Sequence, residues 1–139
     1  MSLSELAEQL GRREISPREA VQHYLKRIEK YDGEINSYIS VREEQALSDA
    51  TALEEIEAAD RGPLWGVPVA IKDVIDVEGS VTTCGSYVTE GANPAEQDAG
   101  VVENLRAAGA IVLGKLNTHE FAYGAMTTSP RFGPGRNPW

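Results

Sequence analysis

The stretch Leu64 to Asp76, LWGVPVAIKDVID, constrains the chain most, because it is almost wholly apolar and carries one lysine, Lys72, between Ile71 and Asp73. A strand that is apolar on both faces is a buried strand, and an ammonium buried there is costly. Two readings follow. Either Lys72 stands at the strand's end with its head in water, as long cationic side chains tend to do, or its burial leaves a neutral amine free to act as a base. Spacing alone leaves both open. Pro68 is tolerated near the start of such a strand because a first-residue proline need not donate to the ladder.

The segments around this strand set a fold class. Leu6, Ala7 and Leu10 predict a short helix over 4–12. Ser16-Pro17-Arg18-Glu19 is a helix start with a capping box, and Val21, Tyr24, Leu25, Ile28 and Tyr31 carry the helix to residue 31, with Asp32-Gly33 as its end. Asn36 to Val41 alternates as a short strand or extended link. Arg42 to Asp60 reads as a second long helix, with Leu47, Ala50, Leu53 and Ile56 inward, and Arg61-Gly62-Pro63 stops it. Beyond the Val67–Ile71 strand and a loop over 79–91, Asp98 is the expected cap of a helix that buries Val101, Val102, Leu105 and Ala108 and closes at Gly109. A strand over Ala110–Leu113 follows at once, which makes a strand–helix–strand unit of a parallel sheet. Asn117 or Thr118 should cap a short helix through Tyr123, and Gly124–Trp139 reads as an ordered loop.

Composition narrows the function classes. The 139 residues carry 22 acids against 13 bases, a formal charge of −9, and residues 1–60 alone hold 14 acids and 7 bases. Phosphate binding needs clustered lysine and arginine, so a nucleic-acid surface on this segment is disfavoured. No apolar run approaches the roughly 18 residues a membrane helix needs. The N-terminus lacks a secretory pattern and there is one cysteine, which together fit a cytoplasmic protein. Single residues give little more. His23 and Lys115 read as solvated or packed. His119-Glu120 starts the zinc motif H-E-x-x-H but has Tyr123 at the fifth position, so no metal is expected. Cys84 has no sequence-near base and reads as a packing group. Gly133-Pro134-Gly135 lacks the context of a phosphate loop.

Four motifs in series add a resemblance. GVPVAIKDVID (66–76), VTTCGS (81–86), DAGVVENLRAAGAIVLGKLNTHEFAYG (98–124) and FGPGRNPW (132–139) make the chain from about Ile35 to Trp139 resemble the N-terminal part of the amidase signature family. Within it the chain is most similar to the branch of glutamyl-tRNA(Gln)/aspartyl-tRNA(Asn) amidotransferase A subunits. The resemblance implies an α/β fold: N-terminal helices over 1–60, then over 61–139 the first strands and helices of a mixed sheet with helices on both faces, a single but incomplete domain. It implies that Lys72 is the terminal base of a serine–cis-serine–lysine triad, and that Gly124, Ala125, Met126 and Thr127 border the substrate. The implied reaction is cleavage of a carboxamide C–N bond through an acyl-enzyme, without a cofactor. The substrate is a small amide, glutamine in the amidotransferase branch, where the partners would be the other amidotransferase subunits.

Gly135 departs from the family, which more often has threonine or another side-chain-bearing residue there. More consequentially, the glycine- and serine-rich signature that supplies both triad serines falls after the N-P-W element, and none of Ser80, Ser86 or Ser129 lies in such a setting. The expectation is an N-terminal fragment, inactive until the C-terminal remainder of the fold is supplied. The contrasting expectation is a non-catalytic stand-alone domain derived from an amidase, which would unfold cooperatively by itself.

Overall fold

The computed structural model describes residues 1–139. Both N-terminal helices open on the capping box, a serine hydroxyl accepting from the N3 amide while the N3 glutamate returns to the serine N–H. Ser2 and Glu5 do this for α1 (Leu3–Gly11), and Ser16 and Glu19 for α2 (Pro17–Ile35). These serine N–H donors hold both glutamates below the ordinary carboxylate range.

Helix α2 runs past the expected stop at Asp32-Gly33. It ends at Asn36, which is left-handed at φ 56°. The Asp32 carboxylate is not a breaker here: it accepts from the amides of Ser37 (2.8 Å) and Tyr38 (3.0 Å), which fastens the chain as it leaves the helix. Strand β1 (Tyr38–Val41) follows, then α3 (Glu43–Glu54), shorter than the expected 42–60. Its buried residues are Ala46 and Ala50, with Leu47 and Leu53 only partly covered. So thin a stripe does not hold the glutamate-rich continuation, which leaves α3 for a single 3₁₀ turn at Ala58–Asp60.

Strand β2 (Pro68–Lys72), α4 (Gly100–Ala107) and β3 (Ile111–Leu116) form the expected parallel unit. The sheet order is β1-β3-β2, with β1 antiparallel to β3, so the sheet is mixed. On one face Ile111 and Leu113 pack with Val21 and Leu25 of α2 and Ala46 and Ala50 of α3; on the other, Val112 packs with Ile71, Val77 and Val102 of α4. Helices thus cover both faces. A third cluster joins Leu6 and Leu10 of α1 to Trp65 and Val67 ahead of β2.

Three local expectations change. Ala99, not Asp98, precedes α4, and the Asp98 carboxylate instead accepts from the Glu78 amide and the Arg106 guanidinium, both at 2.7 Å. Val101 is exposed, because the short helix turns only Val102 fully inward. The segment 117–123 holds only a 3₁₀ turn, Glu120–Ala122. Asn117 uses its side chain to join distant backbone, donating to the carbonyls of Asn36 (3.2 Å) and Gly133 (3.1 Å). The last segment carries a small hairpin, β4 (Thr128–Ser129) with β5 (Gly133–Pro134). No helix is long and apolar enough to cross a membrane.

Gly114 lets β1 close on β3. A Cβ there would lie 2.1 Å from the Ser40 carbonyl oxygen, a backbone atom that cannot move aside. Gly114→Ala is therefore expected to destabilise the chain by about 1–3 kcal/mol, read as a lower urea midpoint; an unchanged midpoint would mean that β1 is not held against β3.

Candidate functional site

The C-terminal ends of the two parallel strands meet the loop 81–86, and most of the chemistry-bearing side chains gather there. Lys72 is the last residue of β2 and its side chain is exposed. Its carbonyl accepts from the amides of Val74 and Ile75, so the chain turns sharply after it. The buried-strand premise changes accordingly. β2 is an edge strand of this sheet, Pro68, Val69 and Ala70 are only partly covered, and Lys72 stands where the strand meets solvent.

The next residue goes the other way. Asp73 is fully buried, and its amide donates to the Leu116 carbonyl, tying the end of β2 to the end of β3. Its Oδ2 accepts from the amide (3.1 Å) and hydroxyl of Thr83. Its Oδ1 lies 2.8 Å from Nζ of Lys115, an ion pair whose angles fall outside hydrogen-bond geometry. Both side chains are 0 % exposed. Lys115 Nζ also donates to the Thr82 hydroxyl at 3.0 Å. Lys115, which by sequence reads as solvated or packed, is packed, and is the buried cation of the site. In the parallel ladder it stands opposite Ile71, two residues before Asp73, and no spacing along the chain announces that pairing.

The loop 81–86 is bound from several sides. The Cys84 amide donates to the Asp73 carbonyl (3.0 Å), and the Cys84 carbonyl accepts from Phe121 (2.8 Å). Cys84, Phe121 and Ala122 all adopt left-handed backbone, at φ 52°, 48° and 55°, uncommon for residues with a Cβ. The Ser86 hydroxyl donates to the Glu120 carboxylate at 2.6 Å. Buried Ser129 donates to the Gly85 carbonyl (2.7 Å) and accepts from Arg131 (3.1 Å) and Phe132 (3.0 Å). These serines are therefore structural, and neither has a basic side chain among its hydroxyl's hydrogen-bond partners.

Gly124, Ala125, Met126 and Thr127 form an exposed stretch between the Phe121 turn and β4. They connect to Lys72 only indirectly, through Ser129 on Gly85 and Cys84 on Asp73. Met126 within the stretch, Phe121 and Tyr123 just before it, and Tyr87 and Val88 after the 81–86 loop are exposed apolar side chains.

The Amidase family model matches residues 19–139. The chain belongs to the amidase family. It is 44% identical over 140 residues to the glutamyl-tRNA(Gln) amidotransferase A subunit of Geobacter metallireducens, covering 100% of this chain and 29% of that one. It is 45% identical over 141 residues to the protein of the same name from Acinetobacter baylyi, covering 28% of it. Among solved structures, native peptide amidase from Stenotrophomonas maltophilia superposes with a TM-score of 0.85 at 34% identity, over 99% of this chain and 30% of that one. A vestigial protein complex described as revealing the evolutionary origins of an s-triazine catabolic enzyme superposes at 0.94, with 38% identity over 99% and 31%. The chain thus spans under a third of the length of the relatives it matches.

Cys84 yields a prediction of its own. Burial, and then the Asp73 carboxylate, push its thiol above the ordinary value of 9.0, with Lys115 opposing. A raised value means less thiolate at neutral pH, so Cys84 should react with a disulfide reagent more slowly than a small free thiol, with a rate midpoint above pH 9.0. Fast modification at neutral pH would contradict this placement.

Proposed function

We propose that this chain supplies the base-bearing part of an amidase active site, and that the assembled enzyme hydrolyses a small carboxamide through an acyl-enzyme. The observation that carries the reading is Lys72 in the GVPVAIKDVID motif, at the open C-terminal end of β2, in a chain matched along its whole length by amidotransferase A subunits. In this reading the Lys72 amine draws a proton from a bridging serine, which activates a nucleophilic serine for attack on the amide carbonyl. Ammonia leaves, and water or an acceptor amine resolves the acyl-enzyme. Neither serine is placed among these 139 residues. In this reading both come from chain outside the matched segment, which the relatives are long enough to carry.

The substrate of this reading is glutamine, with ammonia passed within a multi-subunit amidotransferase; the support is the shared name of the relatives at 44–45% identity. The acidic balance of the chain argues that any tRNA is held by other subunits. The exposed backbone of Gly124–Thr127 is assigned to the rim of the substrate pocket, supported by its exposure and its link to the Lys72 end through Gly85 and Cys84.

The test is a chimera in which this chain replaces the matching segment of the Geobacter metallireducens protein, assembled with its partners and assayed for ammonia release from glutamine. Lys72→Met is expected to lower kcat by about 10²–10⁴-fold, as loss of a general base does. Retained activity would remove Lys72 from the mechanism. In the same chimera Ala125→Pro, which deletes one exposed backbone N–H, should raise KM several-fold while the melting temperature holds; an unchanged KM would take 124–127 out of the pocket.

A further inference from the structure

We propose that Lys115 is a positioning residue that keeps the Asp73 carboxylate from holding a proton on Lys72. The proposal rests on the reading of Lys72 as the base. A base must shed its proton, yet Lys72 is followed directly by a carboxylate, and an opposite charge close by favours the protonated amine. The structure directs that carboxylate elsewhere. Asp73 is fully buried while Lys72 is exposed, since successive side chains of an extended chain leave on opposite sides. Oδ2 is taken by Thr83, and Oδ1 faces Lys115 at 2.8 Å. Lys115 is fixed in turn by Thr82, whose hydroxyl accepts from it. The Asp73–Lys115 pair carries no net charge toward Lys72, whereas either member alone would.

The other ionisable groups at this end are committed differently. Arg42, at the end of β1, donates to the Glu78 carbonyl and the Ser80 hydroxyl. Glu120 accepts from Ser86, and Arg131 donates to the Ser86 carbonyl. Asp76 lies in the turn after β2 and is exposed to solvent, which screens its charge. Cys84 stays a thiol through burial and its nearness to Asp73. Of these groups, Asp73 is the charge adjoining Lys72 that is both buried and neutralised by a buried partner.

The test uses the chimera defined above and reads the pH profile of kcat/KM, whose acid limb reports the deprotonation of the base. Lys115→Met leaves Asp73 an unpaired anion. The acid limb should move to higher pH, with a roughly tenfold loss of kcat at neutral pH for each pH unit moved and KM unchanged. Asp73→Asn, nearly isosteric and still able to meet Thr83, leaves Lys115 an unpaired cation, and the limb should move to lower pH. The double variant should return it to the parental position. A pair with only a structural role would lower the yield of folded enzyme in both single variants and leave the limb in place. If Lys115→Met is not recovered folded, Asp73→Asn decides by itself. An unmoved limb, or a shift of the same sign in both single variants, overturns the proposal. Full activity in the Lys72→Met chimera would instead overturn the reading of Lys72, whatever the limb does.

Discussion

The ion pair between Asp73 and Lys115 is the interaction on which the candidate functional end of this molecule depends. Two opposite charges lie wholly out of solvent at 2.8 Å, each on the last residues of a different parallel strand or just beyond it. Removing one partner of such a pair typically costs about 3–5 kcal/mol, because the other is left buried and unpaired. A domain of this size has only about 5–15 kcal/mol to lose. Replacing both charges with apolar groups is, by contrast, often nearly neutral. The value of the pair therefore lies in what it positions: the turn after Lys72, the end of β3 and, through Thr82 and Thr83, the loop 81–86.

A buried pair needs a rigid host, and β3 provides it. As the central strand it is paired on both edges and covered on both faces, with Ile111 and Leu113 under α2 and α3 and Val112 toward α4. Each such side chain contributes about 1.5–3 kcal/mol when buried. The ladder is not uniform. Val69 pairs with Val112 but Ala70 with Gly114, so β3 spends one extra residue, Leu113, within its pairing to β2. Such a bulge redirects the side chains beyond it, and Lys115 is the residue so placed. Gly114, where any Cβ would strike the Ser40 carbonyl, is what allows β1 to lie against this irregular stretch.

How much of this could be read from the residues follows the range of the forces involved. The start of α2 was legible because Ser16, Pro17 and Glu19 act within one turn. The parallel unit was legible because an apolar run, a helix closed by Gly109 and a second apolar run admit few other arrangements. The end of α2 was not, since Asp32 reaches forward to Ser37 and Tyr38, and the Asn36 side chain donates to carbonyls of residues 132 and 134. Asp98 has the look of a helix cap, but folding brings it to Glu78 and Arg106. The pairing of Lys115 with Asp73 was the least legible part. Its significance exists only across the β2–β3 ladder and the 81–86 loop, and a lysine at a strand end carries no local mark of being buried.

Lys72 and Lys115 make a physical contrast that bears on the role proposed for the first. Lys115 is out of water but held by a carboxylate and a hydroxyl, so its charge is compensated within the fold. Lys72 has no such partner, and its head is in solvent. An amine in open water keeps its proton at neutral pH; becoming a base requires that water be removed without a counter-charge being supplied. The surroundings of Lys72 fit a face that is to be covered. β2 is an edge strand there, and the neighbouring loops show Tyr87, Val88, Phe121 and Tyr123 to solvent, the last at 93% exposure. Relatives of which this chain covers 28–31% carry the further chain that could lie on it. On the proposed reading, the fold stores its compensated charge inside and leaves its uncompensated lysine at the boundary, so that assembly rather than folding makes the base.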